Sequence, residues 1–208
     1  YAAHGGWKGL RAALAMDGAS AVKQVTDSGL RGRGGAAFPA GIKWKTVLET
    51  PAERKYVVCN ADEGDSGTFS DRMIMEGDPY ALIEGMAIAG VAVGATRGYI
   101  YVRSEYPHSC RVLAEAIALA KAGGYVGADV LGSGKSFELE VRKGAGAYIC
   151  GEETSLLESL EGKRGMVRFK PPVPAISGLF GKPTLINNVI TLASVPGIFA
   201  RGAAHYRE

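Results

Sequence analysis

Apolar residues in this chain form short β-branched runs that alternate with stretches of helical periodicity. The run KYVVCN at 55–60 predicts a buried strand, and GYIYVR at 98–103 predicts a second. FELEVR at 137–142 alternates between apolar and polar positions, which predicts a third strand with one exposed face. We expect a further short strand at 147–150.

Helical patterns lie between and around these runs. Asp78 followed by Pro79 is typical of a helix start, because the side chain caps the first turn and proline fits the first helical position. That helix is predicted to end near Val93. Further helices are predicted at 7–15, 20–26, 109–122, 152–160 and 184–194. Strands that alternate with helices in this way predict an α/β domain with a largely parallel sheet covered by helices.

Composition and charge narrow the class of protein. The chain has 208 residues, of which 47% are hydrophobic and 22% charged, as in an ordinary globular domain. The net charge is +3 and its charges are interspersed, so we expect no nucleic-acid binding. No apolar run is long enough for a bilayer, and we expect no direct membrane insertion. Because the chain begins with Tyr1 rather than Met, we expect a piece of a longer polypeptide.

The cysteines indicate the compartment. Cys59, Cys110 and Cys150 are far apart and form no C-x-x-C pair, which favours a reducing cytoplasmic location over a disulfide framework. Three thiols are also too few to hold an iron–sulfur cluster within this chain.

The most informative segment is SGLRGRGGAAFPAGIKW at 28–44, in which five glycines lie among Arg31, Arg33 and Lys43. We expect it to form a loop rather than a helix or strand, because glycine has the most backbone freedom to lose. Bare backbone N–H groups beside cations predict a phosphate cradle. Gly32, Gly34 and Ala37 match the Rossmann dinucleotide pattern superficially, but a predicted helix precedes them and Phe38-Pro39 follows. A surface turn is the alternative.

A second cluster, NADEGDSGTFSD at 60–71, follows the first predicted strand, where open α/β sheets bind ligands. Asn60, Asp62 and Glu63 provide closely spaced amide and carboxylate groups. The spacing of an EF-hand calcium loop is absent. A solvated acidic turn and a carboxylate metal site formed by Asp62, Glu63 and Asp65 are the alternatives.

Two later segments complete the candidate chemistry. In GAGAYICGEETS at 144–155, Gly151 allows a flat ring to lie against the backbone, and one of Glu152 and Glu153 would then face that ring. The alternative is that both glutamates only stabilise a helix N-terminus. Farther on, KPPVPA at 170–175 must be extended, and the pair Asn187-Asn188 is, by itself, typical of a helix cap or a turn.

Taken in this order, and with GKPTLINNVITL at 181–192, these segments resemble the FMN- and NADH-binding flavoprotein subunit of the complex I family. The resemblance covers nearly the whole chain from about residue 20. NADEGDSGTFSDR and GYIYVRSEYP look most like the soluble branch, namely the beta subunit of NAD-dependent formate dehydrogenase and the diaphorase subunit of bidirectional NAD-reducing hydrogenase. The resemblance implies a three-layer Rossmann-like FMN- and NADH-binding domain over 1–208, with a helical lead-in at 1–30. It implies that the family's ubiquitin-like domain and four-iron cluster domain lie beyond this chain.

The resemblance assigns roles residue by residue. It implies FMN contacts by Gly32, Arg33, Gly34, Lys43, Asn60, Asp62, Glu63, Gly151, Glu152, Glu153, Asn187, Asn188 and Thr191. It implies NADH contacts by Gly35, Ala36, Phe38, Asp65 and Lys170. Glu153 matches a carboxylate beside both rings and is the predicted catalytic residue; no metal ligand is expected.

Three positions depart from the pattern common in complex I. Asp65 replaces a longer acidic residue near the NADH ribose, while Val173 and Thr46 replace aromatic residues. Loss of aromatic stacking weakens adenine binding by roughly 1 kcal/mol per ring. Asp65 would still repel a 2′-phosphate, so we predict a preference for NAD over NADP.

The implied function is hydride transfer between NAD(H) and FMN, with electrons exchanged with iron–sulfur centres. The implied partners are a two-iron ferredoxin-like small subunit and a catalytic subunit of formate dehydrogenase or hydrogenase. A cytoplasmic formate dehydrogenase is the preferred parent, and a hydrogenase or complex I is the alternative. A non-catalytic nucleotide-binding module is the alternative from another functional class.

Overall fold

The computed structural model describes residues 1–207 and contains one sheet of four parallel strands. The strands are β1 (Tyr56–Ala61), β2 (Arg97–Val102), β3 (Glu138–Lys143) and β4 (Thr184–Asn188). Their order across the sheet is β3-β2-β1-β4. The predicted α/β class and largely parallel sheet are therefore confirmed.

Nine α-helices surround or extend the sheet in the described part of the chain. They are α1 (Lys8–Leu14), α2 (Gly18–Asp27), α3 (Ala40–Glu49), α4 (Ser70–Gly77), α5 (Pro79–Val93), α6 (Pro107–Ala122), α7 (Glu153–Leu160), α8 (Val189–Arg201) and α9 (Ala203–Arg207). Short 3₁₀ turns occupy Ala2–His4, Val130–Gly132, Tyr148–Gly151 and Leu179–Gly181. Within residues 1–207, no helix is both long enough and apolar enough to cross a membrane.

Alternate residues along each strand pack into two separate cores. Val57 and Cys59 of β1 face a large core that includes α5, α6 and α8, whereas Tyr56 and Val58 face a smaller core against α7. This alternation is the two-residue period of a strand. Since helices cover both faces, the domain has the three layers that the family resemblance implied.

Close helix contacts depend on glycine at two positions. A Cβ atom at Gly85 of α5 would lie 2.0 Å from the carbonyl oxygen of Leu192 on α8. A Cβ atom at Gly9 of α1 would lie 2.7 Å from the carbonyl oxygen of Pro196, which is also on α8. The backbones of α1, α5 and α8 therefore approach each other at distances that no larger residue allows.

Two predicted elements are wrong in type. The segment 147–150, predicted as a strand, is part of a 3₁₀ turn in which Cys150 N–H donates to Ala147 O and Glu152 N–H donates to Ile149 O. These local bonds replace a strand partner. The segment 184–194, predicted as a helix, begins as β4, because Thr184–Asn188 is a largely buried run paired with β1; α8 starts only at Val189.

Two helices were missed inside predicted loops. Residues 40–44 of the glycine segment belong to α3, whose Trp44 and Val47 are fully buried. The acidic loop ends at Ser70, where α4 begins. In both places the helix has only a short apolar face and follows loop residues, so the local sequence does not indicate a helix. Burial of that face in the folded protein outweighs the local preference. A helix, α2, does precede the glycine loop, which confirms that the loop is not a Rossmann turn.

Candidate cofactor-binding cleft

A cleft opens where β1 and β4 end, at the carboxyl edge of the sheet. It consists of two adjoining cavities of about 420 and 540 Å³, here called the first and second cavity. Residues shared by both are Gly34, Asn60, Gly151, Glu152 and Asn188. Because Asn60 and Asn188 are register partners on adjacent strands, the sheet itself brings the two predicted polar clusters together.

The glycine loop, residues 31–39, forms one wall of the cleft. Its ends are held together by hydrogen bonds from Gly32 N–H to Phe38 O and from Ala40 N–H to Leu30 O. Gly35 has a φ of 110°, and a Cβ there would meet nothing within 4 Å. Open backbone of this kind leaves room for a ligand to approach closely.

The loop is anchored to the start of α8. The backbone N–H of Arg33 donates to Thr191 Oγ1 at 2.9 Å. A Cβ at Gly34 would lie 3.4 Å from the Cβ of Asn188, so the loop rests directly on the start of α8. Thr191 therefore acts behind the wall, holding the loop in place.

The opposite wall begins at the end of β1. Asn60 Nδ2 donates to Gly151 O at 2.9 Å, and Asn60 Oδ1 accepts from Asp62 N–H at 3.2 Å. The amide thereby joins β1 to the 3₁₀ turn at Tyr148–Gly151. Asp62 is buried behind Gly151, and burial raises its pKa to about 6 although the Arg103 charge acts in the opposite direction.

Glu63 caps a helix that begins seven residues farther along the chain. Its carboxylate accepts hydrogen bonds from Asp71 N–H at 2.8 Å, Arg72 N–H at 3.2 Å and Tyr106 Oη at 3.0 Å. These donors include the first N–H groups of α4, which otherwise lack partners. Glu63 has a φ of 25°, a positive value that is uncommon for a residue other than glycine.

Two lysines hold Glu153 at the second cavity. Lys43 Nζ lies 3.1 Å from Glu153 Oε2, and Lys170 Nζ lies 2.8 Å from Glu153 Oε1. Burial acts to raise the pKa of Glu153, but the two ammonium groups outweigh it, so the pKa lies below its usual range. Glu153 is therefore a carboxylate at neutral pH.

Glu152 caps α7. Its Oε2 accepts from the N–H groups of Thr154 and Ser155, while Lys170 also contacts its Oε1 at 3.2 Å. The prediction that the two glutamates differ in orientation agrees with this geometry: one faces the helix end and the other the lysine pair.

The asparagine pair closes the base of the cleft. Asn187 Oδ1 accepts from the indole of Trp44 at 3.0 Å, and Asn188 Oδ1 accepts from Ile190 N–H at 2.8 Å. Asn188 Nδ2 donates to Asp71 Oδ2 at 2.7 Å. Asn188 is thus the cap of α8 and at the same time a link to α4.

All but two of the predicted site residues line the cleft. Those at the first cavity are Arg33, Gly34, Gly35, Asn60, Glu63, Asp65, Gly151, Glu152 and Asn188. Those at the second are Gly32, Gly34, Ala36, Phe38, Lys43, Asn60, Gly151, Glu152, Glu153, Lys170, Asn187 and Asn188. Asp62 and Thr191 line neither cavity and lie directly behind the wall.

The sequence did not single out Asp71, Tyr148 or Ile42, which also line the cleft. Tyr148 donates from its hydroxyl to Asp65 Oδ1 at 2.8 Å and lies against Gly64. Asp71 stands within the acidic run and opens α4, and Tyr148 is the aromatic residue that precedes Gly151 in the third motif. Their positions in the quoted motifs were the available signal.

Among residues 1–207, no group of three or more histidine, cysteine, aspartate or glutamate side chains is placed to share a metal ion. Asp62, Glu63 and Asp65 do not converge, since Glu63 caps α4 and Asp65 pairs with Tyr148. The carboxylate metal site is therefore not formed by these residues.

The cleft fits a flat ligand that carries phosphate. Its combined size is typical of small-molecule sites. Bare backbone at Gly34 and Gly35 permits close approach. Arg33 is the cationic side chain in the first cavity, and Lys43 and Lys170, both paired with Glu153, are the cationic side chains in the second. Among residues 1–207, nothing donates a hydrogen bond to the buried Oδ1 of Asp71, which is typical of a site built for a further polar group.

Fold and cleft together define a flavin-type nucleotide-binding domain, and comparison with known proteins identifies the family. The sequence profile of the Nuo51 FMN-binding domain matches residues 25–197. The chain belongs to this family, as the motifs implied.

Two curated relatives are similar to this chain over all or nearly all of its length. The chain is 53% identical over 208 residues to an NADH-quinone oxidoreductase subunit of Rhizobium meliloti (strain 1021), covering 100% of this chain and 49% of the relative. It is 52% identical over 203 residues to the NADP-reducing hydrogenase subunit HndC of Solidesulfovibrio fructosivorans, covering 98% of this chain and 41% of the relative. The chain thus spans about half the length of the curated relatives it matches or less.

A solved structure agrees as well. A chain of the NAD⁺-reducing [NiFe]-hydrogenase in its H₂-reduced state superposes with a TM-score of 0.83 and 43% sequence identity. The superposition covers 92% of this chain and 32% of that chain. The fold and the family resemblance are therefore both confirmed.

Proposed function

We propose that this chain is the FMN- and NADH-binding part of an NADH:acceptor oxidoreductase subunit. The observation that carries the proposal is the Lys43–Glu153–Lys170 charge cluster, which faces a cavity lined by the glycine loop. A permanent carboxylate between two ammonium groups provides one negative and two positive charges beside the space for two stacked rings. Bound FMN supplies a ring that exchanges a hydride with NAD(H) and exchanges electrons singly with other centres.

The residues of the chain position the two cofactors and polarise their rings. Arg33 and the open backbone at Gly34 and Gly35 hold phosphate, since N–H groups and a guanidinium favour anions. Asn60, Asn187 and Asn188 present amides whose orientation is fixed by their own partners. Holding both rings in contact supplies the proximity part of catalysis.

Nicotinamide nucleotide is proposed to occupy the second cavity and to reach with its adenosine ribose to Asp65 in the adjoining first cavity. Phe38 is 45% exposed there, so its ring face is accessible for stacking. Ile42 and Val173, both exposed, offer aliphatic contacts there, and Val173 is one of the two positions at which the family resemblance implies an aromatic residue. Lys170 lines the same cavity and is proposed to contact a nucleotide phosphate.

We propose NAD rather than NADP as the partner nucleotide. Asp65 lines the first cavity, and its carboxylate is held by Tyr148. An anion fixed in this way repels a 2′-phosphate. One relative is named as NADP-reducing, so the preference needs a direct test. Flavin reduction by NADH should be at least about tenfold faster than by NADPH, and Asp65→Ser should reduce that ratio.

The wider assembly is also a proposal. The relatives are named as subunits of oxidoreductases and hydrogenases, which supports partner subunits that receive or supply electrons. We propose a two-iron ferredoxin-like subunit as the immediate partner and a formate dehydrogenase or hydrogenase subunit beyond it. The free thiols Cys59, Cys110 and Cys150 support a reducing compartment such as the cytoplasm.

One experiment separates this proposal from a non-catalytic nucleotide-binding module. The purified protein is reconstituted with FMN, its visible spectrum is recorded, and NADH is added without oxygen. We expect the flavin bands to bleach stoichiometrically. A protein that binds NADH but retains no FMN would be the non-catalytic module, and a protein that cannot be reconstituted with FMN would contradict the proposal.

A further inference from the structure

Asp71 is a buried carboxyl group in the cleft wall that the proposed function has not used. It is 4% exposed and lines the first cavity at the start of α4. Its Oδ2 accepts a hydrogen bond from Asn188 Nδ2 at 2.7 Å, whereas its Oδ1 is buried without a partner in the part of the chain that the structure describes. An ionised oxygen in that position is costly, because burial removes it from solvent and no donor of residues 1–207 reaches it.

The hydrogen-bond network determines which oxygen can carry a proton. Asn188 Oδ1 accepts from the backbone N–H of Ile190 at 2.8 Å, so the amide nitrogen of Asn188 must point to Asp71. That nitrogen can only donate, and Asp71 Oδ2 can therefore only accept. Any proton on Asp71 resides on Oδ1, the atom without a partner.

This network reaches the loop that is proposed to hold phosphate. Asn188 caps α8, Thr191 in the first turn of α8 accepts from Arg33 N–H, and Gly34 rests on the Asn188 side chain. Asp71 is therefore connected through Asn188 to the glycine loop. A change in its charge acts on the same wall that an anionic ligand contacts.

The groups around Asp71 shift its pKa in opposite directions. Burial has the largest effect, and together with the nearby Glu63 carboxylate it raises the pKa of Asp71 to about 7. The Asn188 amide and the Ile190 N–H, from β4 and α8, lower it. Cys59 on β1 is a buried thiol whose pKa is raised well above its usual value, so it stays neutral. Arg33 is the cation that shares the cavity.

We propose that Asp71 is a positioning residue that becomes protonated when a phosphate-bearing ligand enters the first cavity, which rests on the proposed FMN site. A phosphate adds negative charge to a wall that already carries Glu63, Asp65 and Glu152. The buried carboxyl nearest to losing its charge then takes up a proton from solvent. The neutral acid keeps its acceptor bond to Asn188, so the loop stays in place.

The test compares ligands with and without phosphate. FMN and riboflavin are titrated into the flavin-free protein between pH 7 and 8.5, above the second phosphate pKa of about 6. We expect FMN affinity to fall at least about threefold over this range, toward the limit of about tenfold per pH unit for one proton. Riboflavin affinity should stay constant. Calorimetry in two buffers of different ionisation enthalpy should show proton uptake with FMN only.

Two variants separate the titration of Asp71 from its structural role. Asp71→Asn keeps an acceptor for Asn188 but cannot titrate, so its FMN affinity should not change with pH. Asp27→Asn, an exposed change on α2, should retain the wild-type pH slope. Wild-type calorimetry without proton uptake overturns the proposal even if Asp71→Asn does not fold.

The outcomes are distinct. FMN binding without proton uptake, or an equal pH slope in wild type and Asp71→Asn, would overturn the role of Asp71 and leave the flavin proposal intact. Failure of the wild-type protein to bind either flavin would overturn both.

Discussion

The Lys43 ammonium and the Glu153 carboxylate lie 3.1 Å apart and join α3 to the first turn of α7 across the cleft. Lys170 completes the cluster from the proline-rich segment, 2.8 Å from the same carboxylate. Three segments that are distant in sequence thus hold one charge in a defined place. Its lowered pKa keeps that charge present throughout the physiological range.

Glu153→Gln removes this charge with little change in shape. A negative charge beside a flavin disfavours the electron-rich reduced form, so we expect its midpoint potential to rise by about 15–30 mV, where 30 mV corresponds to about 1.4 kcal/mol for two electrons. Glu153 accepts charge-assisted hydrogen bonds from Lys43 and Lys170, and the glutamine side chain accepts them less strongly. We expect the rate of flavin reduction by NADH to fall about tenfold, the effect of losing one such bond. Redox titration and anaerobic stopped flow measure both.

The matched control is Glu49→Gln at the end of α3, where the side chain is exposed. It should leave both quantities unchanged. If Glu153→Gln left the potential and the rate as they are in the wild type, Glu153 would have no role beyond packing.

Glu63→Ala tests the cap of α4. The carboxylate accepts from two backbone N–H groups at the start of that helix, and we expect its loss to cost about 1–2 kcal/mol, as at other N-caps. Because α4 carries Asp71, FMN affinity should fall as well. Urea unfolding gives the first quantity and fluorescence titration the second.

Tyr106→Phe is the companion change, since it removes one hydrogen bond to Glu63 and keeps the ring. We expect it to cost about 1 kcal/mol. Unchanged unfolding midpoints in both variants would show that the α4 cap does not depend on Glu63.

The sequence predicted β1, β2, β3 and most of the helices, because apolar periodicity and capping residues are local signals. It failed at β4, where TLINN followed by VITL reads as a continuous helical pattern. The pairing of β4 with β1, from Tyr56–Thr184 to Asn60–Asn188, shows that a strand precedes α8. That pairing is a tertiary fact that a single sequence does not carry.

The candidate cleft was predicted to a similar extent and for a similar reason. Glycine, paired carboxylates and paired asparagines indicate a ligand site by composition, so the loops that form it were identified. The partners of each side chain were not. That Glu63 caps α4, and that Asp71 faces Asn188, depends on how α4 packs, and α4 itself was missed.

Stability should depend on pH through two buried carboxyl groups. Burial raises the pKa of Asp71 to about 7 and that of Asp62 to about 6, whereas the unfolded value is about 3.9. The folded state therefore binds these protons more tightly than the unfolded chain, and their stabilising effect is lost as pH rises through the folded values. We expect the flavin-free protein to be less stable at pH 8 than at pH 5.5, by on the order of 2–4 kcal/mol.

Urea unfolding across this range measures the slope. Asp71→Asn should remove much of it, while the exposed Asp27→Asn should not alter it. Below about pH 4.3 the trend should reverse, because the pKa values of Glu152, Glu153 and Glu161 are lowered in the fold and their stabilising effect is lost as they become protonated. A stability that stayed flat from pH 5.5 to 8 would contradict the assignment of raised pKa values to Asp71 and Asp62.

Gly85→Ala tests the contact between α5 and α8. Its new Cβ would lie 2.0 Å from the Leu192 carbonyl oxygen, and because that atom is backbone, a whole helix must shift. We expect a loss of about 1–3 kcal/mol or more in the free energy of unfolding, as for other overpacked cores, although alanine is the better helix former.

Gly77→Ala at the end of α4 is the control, since a Cβ there meets nothing within 4 Å. It should be neutral or slightly stabilising, by up to about 1 kcal/mol. Because α8 begins at the Asn188 cap, Gly85→Ala should also weaken FMN binding, and a variant as stable as the wild type would show that the helices do not pack this closely.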